Sequence, residues 1–308
     1  MRSPFPDLKP GVFIDEAFAL GEGPFWFRDH LWWVDIDAGA LHCSDAAGRN
    51  RSSRQIGRCL GAAAPVDGQT FVVAMEDGLG FLDWASGSVT LLGAPEQDRP
   101  DNRFNDGKCD PVGRFVAGTL NRSGMHGAAS LYSLDDRREI RKLYAPVTLS
   151  NGLAWSADGR TLYHVDSRLR EIAAFDYDLE SGLIANRRVV IEVPDGLGLP
   201  DGMDIDKDGN LWVAHWGGAA VRCWSPVTGQ CLGKISTPCS TPTSCCFGGS
   251  DGSTLFITTA RPPEMSPAED RWSGRIFSVE LPTRGSPARA FAGSALQHSP
   301  TQVQVILS

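Results

Sequence analysis

Apolar residues in this chain come in short runs, each broken within a few positions by glycine, proline, asparagine or aspartate. The stretch from Asn151 to Asp166 shows the pattern: Asn-Gly, then Leu-Ala-Trp, then Ser-Ala-Asp-Gly-Arg, then Thr-Leu-Tyr-His-Val ahead of Asp166. Hardly any segment carries a useful length of 3.6-residue periodicity, so the runs read as strands. Asp-Gly between two apolar runs marks a tight hairpin, because both residues tolerate positive φ. The template returns from Asp201 to His215, from Glu22 to Asp35 with a turn at Arg28-Asp29-His30, from Leu60 to Ala74, from Asp106 to Ala117 and from Thr243 to Thr258. Second hairpins follow in most copies, at Leu131–Leu134, Ile172–Tyr177, Val221–Trp224 and Arg275–Val279. Six copies spaced by roughly 40–50 residues have the period of a four-stranded propeller blade. The chain is therefore expected to be all-β, a six-bladed β-propeller with four-stranded antiparallel blades, spanning 1–308 as one domain. Radial closure protects strand edges that hairpin-built units would otherwise expose. The tail after Pro282 is weakly patterned and is expected to be partly loose.

Repeat position carries the chemistry. The first strand of each blade lines the central channel, so equivalent positions at its start ring the channel mouth. Those positions are Glu22, Leu60, Asp106, Asn151, Asp201 and Thr243. Turn-forming residues would be interchangeable around such a ring. Instead three blades present Glu22, Asn151 and Asp201, each followed by glycine. Two carboxylates and an amide carbonyl form a hard-oxygen set suited to one divalent ion. Asn-Gly and Asp-Gly alone are ordinary turn formers. Glu-Gly-Pro is not, and the shared repeat position favours ligation. The following glycines are read as letting the backbone turn tightly without a Cβ clash.

Several stretches resemble the SMP-30/gluconolactonase family. They are Leu20-Gly-Glu-Gly-Pro24, Trp33-Val-Asp-Ile36, Asn102-Arg-Phe-Asn-Asp-Gly-Lys108, Ala117-Gly-Thr119, Ser150-Asn-Gly-Leu-Ala-Trp-Ser156, Pro200-Asp-Gly-Met203, and Pro242-Thr-Ser244 with Phe247-Gly-Gly249. The resemblance implies a six-bladed propeller with metal ligands at Glu22, Asn151 and Asp201, the trio the repeat selects. It implies substrate contacts from Arg103 and Asn105, and hydrolysis of a small sugar lactone to its aldonic acid. The cofactor would be one divalent metal ion: Ca, Zn, Mg, Mn or Fe. Some members carry a glutamate a few residues past Ala-Gly-Thr; here the chain reads Asn121-Arg122-Ser123, a departure that bears on which sugar is preferred. The chemistry is coherent: a divalent ion polarises a lactone carbonyl, Asp201 can act as general base, and Arg103 and Asn105 can donate to sugar hydroxyls or to the developing oxyanion. A metal-dependent organophosphatase or esterase, and a non-catalytic calcium-binding propeller, are the competing readings.

Charge and composition narrow the partners. The net charge is −8 with no long basic run, so nucleic acid is a poor partner. No apolar run reaches membrane-spanning length, and Met1–Pro10 lacks a signal core. The expectation is a cytoplasmic monomer or weak oligomer. The eight cysteines show no C-x-x-C pair and read as small buried hydrophobes. Gly248-Gly-Ser-Asp-Gly252 matches G-x-S-x-G but lies between strands, where a nucleophile elbow needs a strand-to-helix turn. Asp204-x-Asp206-x-Asp208-Gly209 mimics a calcium loop but has His215 where the bidentate glutamate should stand. His164 and His215 are expected to be buried residues beside the site and not ligands.

Overall fold

Six sheets of mutually antiparallel strands stand around a common axis in this computed structural model, which describes residues 8–264 and 271–293 and the backbone of 305–306. After β1 (Gly11–Ile14), blade 1 comprises β2 (Gly21–Phe27), β3 (His30–Asp35), β4 (Ala40–Asp45) and β5 (Ser52–Gln55). Blade 2 is β6 (Leu60–Pro65), β7 (Thr70–Met75), β8 (Gly78–Asp83) and β9 (Val89–Gly93). Blade 3 is β10 (Asn102–Cys109), β11 (Phe115–Asn121), β12 (Ala129–Leu134) and β13 (Ile140–Val147). Blade 4 is β14 (Ser150–Trp155), β15 (Thr161–Asp166), β16 (Glu171–Tyr177) and β17 (Ile184–Glu192). Blade 5 is β18 (Leu199–Ile205), β19 (Leu211–Trp216), β20 (Ala220–Trp224) and β21 (Cys231–Ser236). Blade 6 is β22 (Pro242–Gly248), β23 (Thr254–Thr259) and β24 (Ile276–Glu280), and β1 supplies its fourth strand by pairing with β24. The short β25 (Val305–Ile306) pairs in parallel with β13. The expected six-bladed propeller is thus present. Its ring is closed by the N-terminal strand, which the repeat pattern did not indicate. Among the described residues no helix is long and apolar enough to cross a membrane.

Burial explains the hydrophobic pattern. The innermost strands β6, β14 and β22 are buried along their whole length, while the outermost β5, β17 and β21 are mostly exposed. The apolar core is divided into six clusters, each formed where neighbouring blades meet. Trp212 and Phe247 pack edge to face between blades 5 and 6, for example, with centroids 6.0 Å apart. The predicted hairpin between β2 and β3 turns through Arg28 and Asp29 at φ 50° and 59°, the mirror-image turn that suits strand twist, here without glycine.

The described part of the tail is docked, while residues 294–304 and 307–308, on which the expectation of a partly loose tail also falls, lie outside the described residues. Residues 282–293 are not loose: Lys207 N donates to Arg284 O at 2.8 Å, Ala288 N to Trp26 O at 3.2 Å, and Phe291 N to Pro65 O at 2.7 Å. This strap crosses one end of the channel and caps a cavity of about 300 Å³ lined by Trp26, Lys108, Trp155 and Asp204. A tail docked through backbone groups leaves no side-chain periodicity to read.

Candidate active site

In every blade the ladder between the innermost strand and its neighbour slips at the same place. The slips lie at Glu22/Phe25, Leu60/Ala62, Phe104/Gly107, Ser150/Leu153, Pro200/Met203 and Pro242/Ser244. A bulge of this kind interrupts pairing and re-aims side chains. Glu22, Asn105, Asn151 and Asp201 all sit on these slips, in blades 1, 3, 4 and 5. The register refines the sequence alignment. Phe104, Ser150 and Pro200 are the last paired residues before their slips, so Asn105, not Asp106, stands level with Asn151 and Asp201. By the same count Gly61, not Leu60, is the blade 2 equivalent.

Three of the five predicted site residues, Arg103, Asn105 and Asn151, are joined by hydrogen bonds, while Glu22 and Asp201 act on each other, and Arg103 on Glu22, through charge. Glu22, Asn105, Asn151 and Asp201 are buried, and Arg103 is half-buried. Arg103 donates to Asn105 Oδ1 at 2.7 Å and to Phe104 O at 2.9 Å. Asn105 Nδ2 donates to Asn151 Oδ1 at 3.0 Å and to Ser150 O at 2.8 Å. Asn151 Nδ2 in turn donates to Ser167 Oγ at 2.8 Å, which leaves its carbonyl oxygen facing the site. His164 Nε2 lies 2.8 Å from Ser150 Oγ. Burial pushes the His164 imidazole down to about 3, so it stays neutral behind the asparagine.

Electrostatics set the acids apart. Burial is the main cause that raises the Glu22 carboxyl to about 8, with the Asp106 charge adding to it. Asp201 is held well above the usual carboxylate range by burial, then by Glu22 and Asp106. Glu22 Oε2 accepts only the Gly23 backbone N–H, at 2.7 Å, Asp201 accepts the Gly202 backbone N–H, and neither acid takes a side-chain donor among the described residues. Buried carboxylates without a cation are costly. This donor set, two starved acids and an amide oxygen, fits a hard divalent ion. No three His, Cys, Asp or Glu side chains are gathered as a ligand cluster among the described residues; the trio contains only two acids, and Asp106 stands outside it.

Asp106 is a buried acid acting on the trio's carboxyls to which the sequence reading gave no role. It is buried, accepts the Gly107 N–H at 2.7 Å, and its carboxyl is raised by burial against a lowering pull from Lys108. Its position beside Asn105 in Asn-Asp-Gly-Lys was the available signal. Lys108 donates to Asp204 Oδ1 at 3.2 Å and to Met203 O at 3.0 Å, on the strap side of the trio. The rejected motifs belong elsewhere. Ser250 is exposed in the β22–β23 turn. Asp206 caps its own turn and accepts Trp212 Nε1 at 2.9 Å. His215 Nδ1 faces Leu197 O at 3.1 Å, and its Nε2 accepts from Trp224 Nε1 at 3.2 Å.

The glycines after the ligands need a revised explanation. Gly23 does adopt positive φ, but Gly152 and Gly202 do not. A Cβ on Gly202 would lie 2.0 Å from Ser244 Oγ, and one on Gly152 would lie 2.8 Å from Asp201 O. These two are small because adjacent innermost strands pack against them. Gly202→Ala is expected to destabilise the fold by about 1–3 kcal/mol through overpacking. Urea unfolding checks this, with an unchanged midpoint counting against close blade contact.

Residues 20–261 match the family model described as SMP-30/Gluconolactonase/LRE-like region. The chain is 35% identical over 300 residues to regucalcin of Xenopus laevis, covering 93% of this chain and 99% of that protein. It is 36% identical over 283 residues to a Bacillus subtilis protein named "Putative sugar lactone lactonase YvrE", covering 91% and 97%. The crystal structure of a calcium-binding protein, regucalcin, from Agrobacterium tumefaciens superposes with a TM-score of 0.87 at 29% identity, covering 93% and 98%.

Proposed function

Since the chain belongs to the SMP-30/gluconolactonase/LRE-like family, we propose that it hydrolyses a small sugar lactone to the open acid with one divalent ion held by Glu22, Asn151 and Asp201. The observation that carries this reading is the coincidence of two features. Two buried acids lack any side-chain donor, and a hydrogen-bonded line runs from Arg103 through Asn105 to Asn151 beside them. A calcium-binding role alone would leave that line without a purpose.

When bound, a divalent ion supplies Lewis-acid polarisation of a lactone carbonyl. The chain's own residues do the rest. Asn105, fixed by Asn151 and Ser150 O, holds the Arg103 guanidinium over the site. Arg103 Nη2 and Nε carry no hydrogen bond among the described residues, so they are free to donate to substrate oxygens. The Asp201 carboxylate takes a proton from the attacking water. The same proton then passes to the ring oxygen as the C–O bond breaks, leaving a hydroxyl and a carboxylic acid, which releases the second water proton to solvent as it becomes the carboxylate.

Proton release on a pH-stat tests the reading, with glucono-, xylono- and galactono-lactones compared with paraoxon and p-nitrophenyl acetate, before and after chelation. Chelator-sensitive acid release from a lactone supports it. Cleavage confined to the phosphate or aryl ester makes this an organophosphatase or esterase, and no cleavage with tight calcium binding makes it a binding protein. Arg103→Ala and Asn105→Ala are expected to lower kcat/KM by about 10–150-fold, the equivalent of a lost charge-assisted hydrogen bond of about 1.5–3 kcal/mol. Metal affinity by titration calorimetry should hardly change. Lost metal affinity would move these residues into the metal shell.

A further inference from the structure

A second cavity, of about 360 Å³, opens between blades 2 and 3, and Arg103 in its wall connects to the trio through Asn105 and Asn151. Six charged side chains line it: Glu76, Asp77, Glu96, Arg99, Arg103 and Arg122. Their pairing is uneven. Glu76 accepts from Arg122 Nη2 at 2.6 Å, and Asp77 is taken by Arg58. Glu96 accepts from Tyr132 OH and from Asn102 Nδ2, both at 2.9 Å. Every acid of the cavity is therefore engaged within the protein. Arg103, half-buried, forms no ion pair with a carboxylate among the described residues. Its only acceptors are the Phe104 carbonyl and the Asn105 amide oxygen, both reached through Nη1.

Arg122 is a second guanidinium on the same wall, paired with Glu76. It sits at the end of β11, in the Asn121-Arg122-Ser123 stretch that departs from the family pattern. The turn is built, not slack: Asn121 Nδ2 donates to Asn102 Oδ1 at 2.7 Å, and Asn121 Oδ1 accepts from Ser123 Oγ and Met125 N. Glu76 and the Cys59 thiol, with Sγ at 3.7 Å, hold the Arg122 guanidinium at the cavity wall. A sheltered guanidinium without an anion, with a second one beside it, is a receptor for a carboxylate.

We infer that the substrate is an acidic sugar lactone, an aldaric acid monolactone, whose free carboxylate enters this annex and pairs with Arg103, with Arg122 as the residue that sets the preference for charge. The inference rests on the lactonase reading and specifies its substrate class. The reaction is unchanged: water opens the ring ester, and the distal carboxylate is a handle that neither gains nor loses a bond.

The test uses matched pairs that differ only at the far carbon: glucaro- and galactaro-1,4-lactone against glucono- and galactono-1,4-lactone. For at least one pair, the acidic member should show kcat/KM higher by about tenfold or more at low ionic strength. That advantage should shrink in about 0.5 M salt, where exposed charges are screened. Arg122→Gln should cut the acid-to-neutral ratio at least threefold, roughly the share of a partly exposed charge. Equal kcat/KM within both pairs, or a ratio untouched by Arg122→Gln, overturns the inference and leaves the lactonase reading standing. Hydrolysis of none of the four lactones, with paraoxon or aryl ester still cleaved, overturns both.

Discussion

Asp201→Asn is expected to abolish most hydrolysis, by about 10²–10⁴-fold, even when excess metal restores occupancy. The amide keeps a carbonyl oxygen that ligates a hard ion, so the site can still fill, although one negative charge is lost. What it cannot do is accept a proton. Glu22→Gln removes the same charge from the same trio, and Glu22 has no proton-transfer role in the proposed chemistry. Its activity should largely recover as metal is added. The measurement is kcat for both variants across a metal titration, with occupancy followed separately by calorimetry. Equal recovery would make Asp201 a ligand only and send the proton elsewhere. Failure of both to recover would mean that total charge controls reactivity, which also contradicts the assignment.

The second large effect concerns the metal-free protein, whose stability should fall as pH rises from about 5 to 8. Glu22 has its carboxyl raised from 4.5 to about 8 by burial and by Asp106, and Asp201 is raised for similar reasons. The sign follows from proton binding. Below 4.5 both folded and unfolded states hold the Glu22 proton, and nothing is lost. Between 4.5 and 8 the unfolded state releases it while the folded state keeps it, so stability drops continuously. Above 8 the full cost is present, on the order of 5 kcal/mol for Glu22 at about 1.36 kcal/mol per pKa unit. A divalent ion removes the cause by pairing with the charged forms. Thermal unfolding at pH 5, 6.5 and 8 in chelator should therefore show a midpoint that falls by many degrees, and saturating metal should flatten the profile. A flat profile in chelator would mean that these acids are not starved of a partner. Glu22→Gln, which cannot ionise, should reduce the slope.

Much of this arrangement is legible along the chain because a propeller repeats its local chemistry. The Asp-Gly hairpins at residues 158–159 and 208–209 announce themselves through turn preference, and the innermost strands through a polar residue and glycine followed by a short apolar stretch, as in Asn151-Gly-Leu-Ala-Trp155. Glu22, Asn151 and Asp201 stand out because they share a repeat position yet differ in type. Other features leave no such trace. Whether Asn105 or Asp106 is level with Asn151 depends on where the ladder slips, and a bulge is fixed by pairing across strands and not by either strand alone. The tightness at Gly202 depends on Ser244 of the next blade. The annex exists only because Glu76 of blade 2 reaches Arg122 of blade 3. β1 is four residues with mixed exposure and no periodicity, so nothing in its own sequence says that it completes a sheet begun at Pro242.

That completion has a consequence for how the protein is made. Gly11 pairs with Ser278, so β1 waits for strands translated much later before its sheet can form. Until then the growing chain is an open arc of blades. Glu22 belongs to the first blade in that arc and Asp201 to the fifth, and the sixth, whose β22 packs against both β2 and β18, stands between them. Loop closure over such a separation is slow to nucleate. A nascent chain can therefore form its early blades before the proposed metal site is assembled, and a chain that stops before Ile276 would leave β1 without its partner strand.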